Sequence, residues 1–118
     1  PAAGRLLDTL TRLLKTQVRN PIQVEGNTDN VPISSGRFPS NWELSTARAT
    51  AIVRALIRRG LNPDRLSAAG YADRHPIATN ATAGGRRRNR RVELVVLRKH
   101  SEPGQGGQPT TTQGGTGK

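Results

Sequence analysis

Two groups of residues in this sequence have types and spacing suited to chemistry, and in both cases it is the chemistry of binding. The first is Gly26-Asn27-Thr28-Asp29, followed after an interval by Asn41-Trp42-Glu43-Leu44-Ser45-Thr46-Ala47-Arg48-Ala49. Asp29 offers an anionic acceptor and Arg48 a cationic fork. With Asp29 at a strand end and Arg48 on the opening turns of a helix, unpaired backbone N–H groups and a partial positive charge are added to the same place. Such a pair suits a zwitterion, the carboxylate answering an ammonium and the guanidinium a carboxylate. The plainer reading makes Asp29 a turn residue and Arg48 a solvated helix residue. The second group is the run Arg86-Arg87-Arg88-Asn89-Arg90-Arg91. It reads either as ordinary surface charge or as a phosphate-binding or targeting patch. Because it leads into a strand, alternate arginines must face different ways instead of forming one stripe.

Other chemistries lack carriers. His75 and His100 lie far apart and outside any metal-ligand spacing, and there is no Gly-x-Ser-x-Gly elbow. Gly115-Thr116-Gly117-Lys118 resembles the end of a phosphate-binding loop, but Thr112 stands where its first glycine belongs and no hydroxyl residue follows the lysine. The eight acidic residues show no clustered pair for hydrolysis. Without cysteine, disulfides, thiolate catalysis and cysteine metal sites are excluded. No enzyme activity, cofactor or metal is expected.

At 118 residues the chain has room for one domain. Residues 101–118 are mostly Gly, Gln, Thr and Pro without a large apolar side chain, too little to offset the entropy of ordering, and are expected to be a disordered tail. The domain is therefore expected over residues 1–100. Its only aromatics are Phe38, Trp42 and Tyr71, so its core must be aliphatic. They also give no stacking platform for single-stranded nucleic acid. The net charge of +11 rests mostly on sixteen arginines, which favour planar oxyanions, so an anionic partner is the default expectation. No apolar run reaches the ~20 residues of a membrane span, and nothing at the start resembles a signal peptide. The chain reads as a fragment of something longer.

The elements that must position these residues are legible. Leu6, Leu7, Leu10, Leu13 and Leu14 predict an amphipathic helix over 3–17, ended by Asn20-Pro21. Ile22 and Val24 alternate with polar residues in a short strand, and Val31 to Pro39 is a loop. Ser40-Asn41-Trp42-Glu43 has the form of a capping box. Ala49, Ile52, Val53, Leu56 and Ile57 continue one apolar face to Arg59, and Gly60 sits where a left-handed cap belongs. Leu66 to Tyr71 reads as a weaker strand, Thr82 to Asn89 as a short helix, and Arg91 to Leu97 as a strand with Val92, Leu94 and Val96 on one face. The order predicts an α/β sandwich, a mixed sheet with helices on one face and a parallel crossover around the Ser40–Arg59 helix.

These motifs resemble, in order and spacing, those of the OmpA-like peptidoglycan-binding family. Gly26-Asn27-Thr28-Asp29-Asn30 is similar to its Gly-His-Thr-Asp, and Leu44-Ser45-Thr46-Ala47-Arg48-Ala49 to its Leu-Ser-x-x-Arg-Ala. Gly70-Tyr71, Pro76, Asn80 and Arg86-x-x-Asn89-Arg90-Arg91-Val92-Glu93 follow in register. The insert carrying Asn30-Val31-Pro32-Ile33 and Phe38-Pro39-Ser40-Asn41-Trp42-Glu43 resembles the MotB branch of flagellar stators and its MotD-like relatives. The resemblance implies an OmpA-like fold whose first strand is missing from this fragment. It implies a non-catalytic periplasmic domain that holds peptidoglycan by the diaminopimelate of its stem peptide. Asp29 would take the ligand's ammonium and Arg48 its carboxylate, Thr28 and Asn41 would add polar contacts, and Arg90 would contribute as well. It further implies a homodimer, a parent anchored in the inner membrane by a helix outside this chain, and a MotA-type partner. The resemblance implies no nucleic-acid partner, whereas the net charge alone keeps a basic nucleic-acid-binding module as the rival reading from a different class. The same site would also serve an outer-membrane protein or lipoprotein. One departure stands out: Asn27 replaces the family histidine and cannot become charged.

Overall fold

The expected alternation of elements is present. The structure, a computed structural model, describes residues 2–98. Along the chain come α1 (Ala2–Thr16), β1 (Ile22–Asn27), α2 (Asn41–Arg58), a 3-10 turn (Pro63–Arg65), β2 (Leu66–Gly70), α3 (Ala83–Asn89) and β3 (Arg91–Val96). The sheet runs in the order β2-β1-β3, with β1 parallel to β2 and antiparallel to β3. It is therefore mixed, and α2 is the crossover between the parallel pair. The segment 101–118, expected to be a disordered tail, and His100 lie outside the described residues.

Both ends of α2 follow the sequence signals. Ser40, in extended conformation, accepts a hydrogen bond from the Trp42 N–H at 3.2 Å. Its hydroxyl donates to the Glu43 carboxylate and holds that group below the usual carboxylate range, so this part of the cap persists at neutral pH and is lost as pH falls through the lowered value. At the other end Gly60 adopts φ +101°, its N–H donating to Ile57 O at 2.9 Å while the Leu61 N–H donates to Leu56 O at 3.1 Å. That is a Schellman cap, and it turns Leu61 back into the core beside Leu56.

The core is aliphatic, as composition required. Ile22 and Val24 from β1, Ala49 and Leu56 from α2, Leu14 from α1 and Leu61 form its buried centre, with Leu7, Ile52, Val53, Val92 and Leu94 packed around it. Each fully buried Leu or Ile contributes about 2 kcal/mol relative to exposure. Helical periodicity did not settle which leucines of α1 turn inward. Leu7 and Leu14 do, whereas Leu6 and Leu13 are exposed, because a single helix face meets α2 and the sheet. Ile57 and Val96 are likewise more exposed than their patterns suggested.

A contact without local sequence signal ties α1 to the start of β2. The Arg65 guanidinium donates to Leu14 O at 2.8 Å, Val18 O at 2.9 Å and Asn20 O at 3.0 Å, satisfying carbonyls at and beyond the helix end.

Helix α2 lies directly on the ends of β1 and β2. A Cβ on Gly26 would fall 2.0 Å from Ser45 O, and one on Gly70 2.2 Å from Thr46 Oγ1. Gly26→Ala is therefore expected to push α2 off the sheet and cost about 3 kcal/mol. Its thermal unfolding midpoint by circular dichroism checks this, and an unchanged midpoint would contradict so close an approach.

Candidate functional site

The two glycines bring the first turns of α2 beside the end of β1, and Ser45 locks the arrangement. Its fully buried hydroxyl donates to Trp42 O at 3.0 Å and accepts from the Ala72 N–H at 3.0 Å. Ala72, held at the positive φ of 53°, offers its carbonyl to the Thr28 N–H at 2.9 Å. Serine in the Leu-Ser-x-x-Arg-Ala motif thus joins α2 to the segments leaving β1 and β2.

Beyond β1 the chain turns through Thr28 and Asp29, both buried. The Thr28 hydroxyl donates to Asp29 O at 2.7 Å. Asn41 Nδ2 donates to Val31 O at 3.0 Å, which fixes the start of the loop to the start of α2. The Asp29 side chain, 10% exposed, accepts from the Val31 N–H on Oδ1 at 3.0 Å and from Arg90 Nη1 on Oδ2 at 2.7 Å. An ionised carboxylate has about four acceptor positions, so capacity remains on both oxygens.

Asp29, Arg48, Thr28, Asn41 and Arg90, the five residues expected at the site, all line one open groove of about 410 Å³. Val31, Pro32, Ile33 and Leu44 add apolar wall, and Arg86 adds a further guanidinium. Arg48 is exposed and makes no hydrogen bond or ion pair among the described residues. Thr28 and Asn41 spend donors on backbone carbonyls and so shape the turn, which leaves Asp29 and Arg48 as the charged pair open to a ligand. Asn27 does not line the groove. Strand alternation turns it to the sheet face opposite Gly26, where it is 2% exposed and its Oδ1 has no partner among the described residues.

The arginine run divides as strand and helix geometry require. Arg90 pairs with Asp29, Arg91 with Glu93, and Arg86 Nη1 donates to Asn80 O at 2.9 Å, leaving Arg87 and Arg88 as exposed charge. Asn89 between them is fully buried. Its Oδ1 accepts from the N–H groups of Ile77 at 2.8 Å and Ala78 at 2.9 Å, and its Nδ2 donates to Ala78 O at 3.0 Å and Asn80 Oδ1 at 2.9 Å. Arg86 was legible only as a member of the basic run, and Leu44 and Ser45 only as members of the Leu-Ser-x-x-Arg-Ala motif, without a contact of their own. Their motif positions were the available signal, but spacing alone does not separate a groove wall from a packing contact.

On the opposite sheet face Tyr71 stacks on His75 with ring centroids 4.4 Å apart, and its hydroxyl accepts from Gln23 Nε2 at 3.2 Å. Burial first, and the Glu25 carboxylate second, push the phenol above its usual range, so it stays a neutral hydroxyl.

The fold and its groove are those of an OmpA-like domain, and the chain belongs to the OmpA family, whose model matches residues 1–90. Among relatives, Motility protein B of Bacillus subtilis is 41% identical over 93 residues, which cover 78% of this chain and 36% of that protein. Among solved structures, the periplasmic domain of Helicobacter pylori MotB superposes with a TM-score of 0.70 at 35% identity, covering 77% of this chain and 59% of the other. The cell wall anchor of the type VI secretion system (T6SS) from Pseudomonas aeruginosa gives 0.74 at 42% identity, covering 80% and 66%. The chain spans less than half the length of the curated relatives it matches.

Proposed function

We propose that this domain holds peptidoglycan non-covalently by the diaminopimelate of its stem peptide and thereby anchors a flagellar stator to the cell wall. The observation that carries the reading is the nine-tenths buried, hydrogen-bonded Asp29 sharing one groove with Arg48, which has no partner among the described residues. The free end of diaminopimelate presents an ammonium and a carboxylate on one carbon. Asp29 receives the first on its remaining lone pairs and Arg48 grips the second, while Thr28 and Asn41 keep the turn in place. Arg90 sets the orientation of the Asp29 carboxylate. The apolar wall of Val31, Ile33 and Leu44 faces the ligand's methylene chain.

The likeness to Motility protein B and to a cell wall anchor supports wall binding and a motor context. On this reading the domain is periplasmic and homodimeric. Its parent is held in the inner membrane by a segment outside this chain and works with a MotA-type subunit. The same groove would serve a wall anchor of another machine, and the similarity to the secretion-system anchor favours keeping that second parent in view. Against nucleic acid as the partner, Arg90 and Arg91 are paired with Asp29 and Glu93 and do not offer free charge to a phosphate backbone.

Cosedimentation tests the reading. The domain is expected to pellet with sacculi containing diaminopimelate at both low and moderate salt, and to stay in solution with sacculi that carry lysine at that position. Equal pelleting with both, released by salt, would reduce it to a basic surface on an acidic polymer.

A further inference from the structure

The groove holds more positive charge than a single zwitterion uses. Arg48, Arg86 and Arg90 line it, and Asp29 is the one carboxylate among its lining residues. Arg90 is spent on Asp29 at 2.7 Å. Arg86 is bonded at one nitrogen to a neutral carbonyl, Asn80 O, and among the described residues no carboxylate answers its charge, nor has Arg48 any partner there. The free end of diaminopimelate is neutral as a unit, one ammonium against one carboxylate. Its binding would satisfy Arg48 and leave Arg86 facing the groove without a counter-charge.

Arg86 is also held in place, unlike a freely solvated surface arginine. Its bond to Asn80 O orients the guanidinium, and Asn80 is itself fixed through its Oδ1 by the fully buried Asn89. Arg87 and Arg88, next in sequence, are exposed and do not line the groove. A planar fork with one edge tied to backbone and the rest open to a groove is suited to a carboxylate.

We infer that Arg86 forms a second anion subsite, and that the groove recognises a peptide diaminopimelate with both carboxyl groups free. The carboxylate beside the free ammonium goes to Arg48, and the carboxylate on the carbon embedded in the peptide goes to Arg86. This rests on the wall-binding reading and refines it, since it separates peptides ending at diaminopimelate from those in which that second carboxyl is amidated or extended.

The test is calorimetric binding of wild type and Arg86→Gln to two synthetic peptides ending in diaminopimelate. One has both carboxyls free and the other has the chain-terminal carboxyl as a primary amide. Wild type is expected to bind the amide about fivefold to tenfold more weakly, as for loss of one partly exposed charge-assisted pair. Arg86→Gln, whose amide can still donate to Asn80 O, is expected to lose a similar factor for the free peptide and nothing further for the amide, because the two changes remove one interaction. Equal affinity of wild type for both peptides overturns the subsite, and so do two losses that multiply independently. Loss of both peptides on Asp29→Ala, with either of those results, leaves the wall-binding reading standing alone. Failure of wild type to bind either peptide overturns both.

Discussion

Asp29→Ala is expected to lower affinity for a diaminopimelate peptide by about a hundredfold, the size of loss when one partner of a desolvated, hydrogen-bonded charge pair is removed. The carboxylate is the one anion lining the groove and is nine-tenths buried, so no neighbouring residue there takes its place beside an ammonium. The same change leaves the Val31 N–H without its acceptor and Arg90 without its counter-charge, so some stability is lost as well. Asp29→Asn separates the two effects. It keeps an oxygen for the Val31 N–H while deleting the charge, and should bind nearly as poorly as alanine with a smaller fall in melting temperature. Arg48→Ala provides the contrast. That side chain is exposed and unpartnered among the described residues, so its removal should weaken binding about tenfold or more with a stability change within about 0.5 kcal/mol. Calorimetric titration beside thermal unfolding reads both quantities. Unaltered peptide affinity in Asp29→Asn would remove Asp29 from the ligand contacts and, with it, the proposed chemistry of the groove.

The largest expected structural effect away from the core lies at Asn89. Asn89→Ala deletes four hydrogen bonds at once in a fully buried site, leaving the N–H groups of Ile77 and Ala78 and the Ala78 carbonyl without those partners. Each buried group so stranded costs about 1–3 kcal/mol, and a combined loss of about 4 kcal/mol allows for partial relaxation and entry of water. Against a total stability of about 5–15 kcal/mol for a domain of this size, the variant should be near the edge of folding. Asn89→Asp is nearly isosteric and retains an acceptor for both N–H groups, but it turns a second oxygen toward Ala78 O and Asn80 Oδ1. It should therefore recover only part of the loss. Urea unfolding gives the stability, and hydrogen exchange at the Ile77 and Ala78 amides locates the damage. Because Asn89 also fixes Asn80, to which Arg86 is tied, and precedes Arg90, peptide binding should fall in step with that local protection. Native exchange rates at those amides in Asn89→Ala would show that the side chain does not hold this loop.

The two variants fail in different ways. In the proposed function the charge at Asp29 answers the ligand, whereas the amide at Asn89 holds Asn80, to which Arg86 is tied. A motif containing both an Asp and an Asn-Arg-Arg stretch is thus part contact and part scaffold, and loss of binding is diagnostic only when stability is measured beside it.

Much was decided by the sequence alone, through interactions that are local along the chain. The capping box at Ser40, the left-handed glycine at Gly60 and the alternation of Ile22 with Val24 each act within one turn or a few residues, and each element formed where these signals placed it. The family motifs, in register, named Asp29, Arg48, Thr28, Asn41 and Arg90, and these gather in one groove. Tertiary structure decided the rest. Arg90 meets Asp29 from 61 residues away, Arg65 reaches back to α1, and Ser45 bridges to Ala72, pairings to which no local periodicity corresponds. The inward turn of Leu7 and Leu14, with Leu6 and Leu13 left outside, was fixed by where α2 and the sheet lie. Periodicity gives a helix an apolar side, but only packing determines how wide a strip is covered. Arg86 shows the same limit at the site: its place in the groove depends on a carbonyl brought beside it by the buried Asn89, and not on its neighbours in the arginine run.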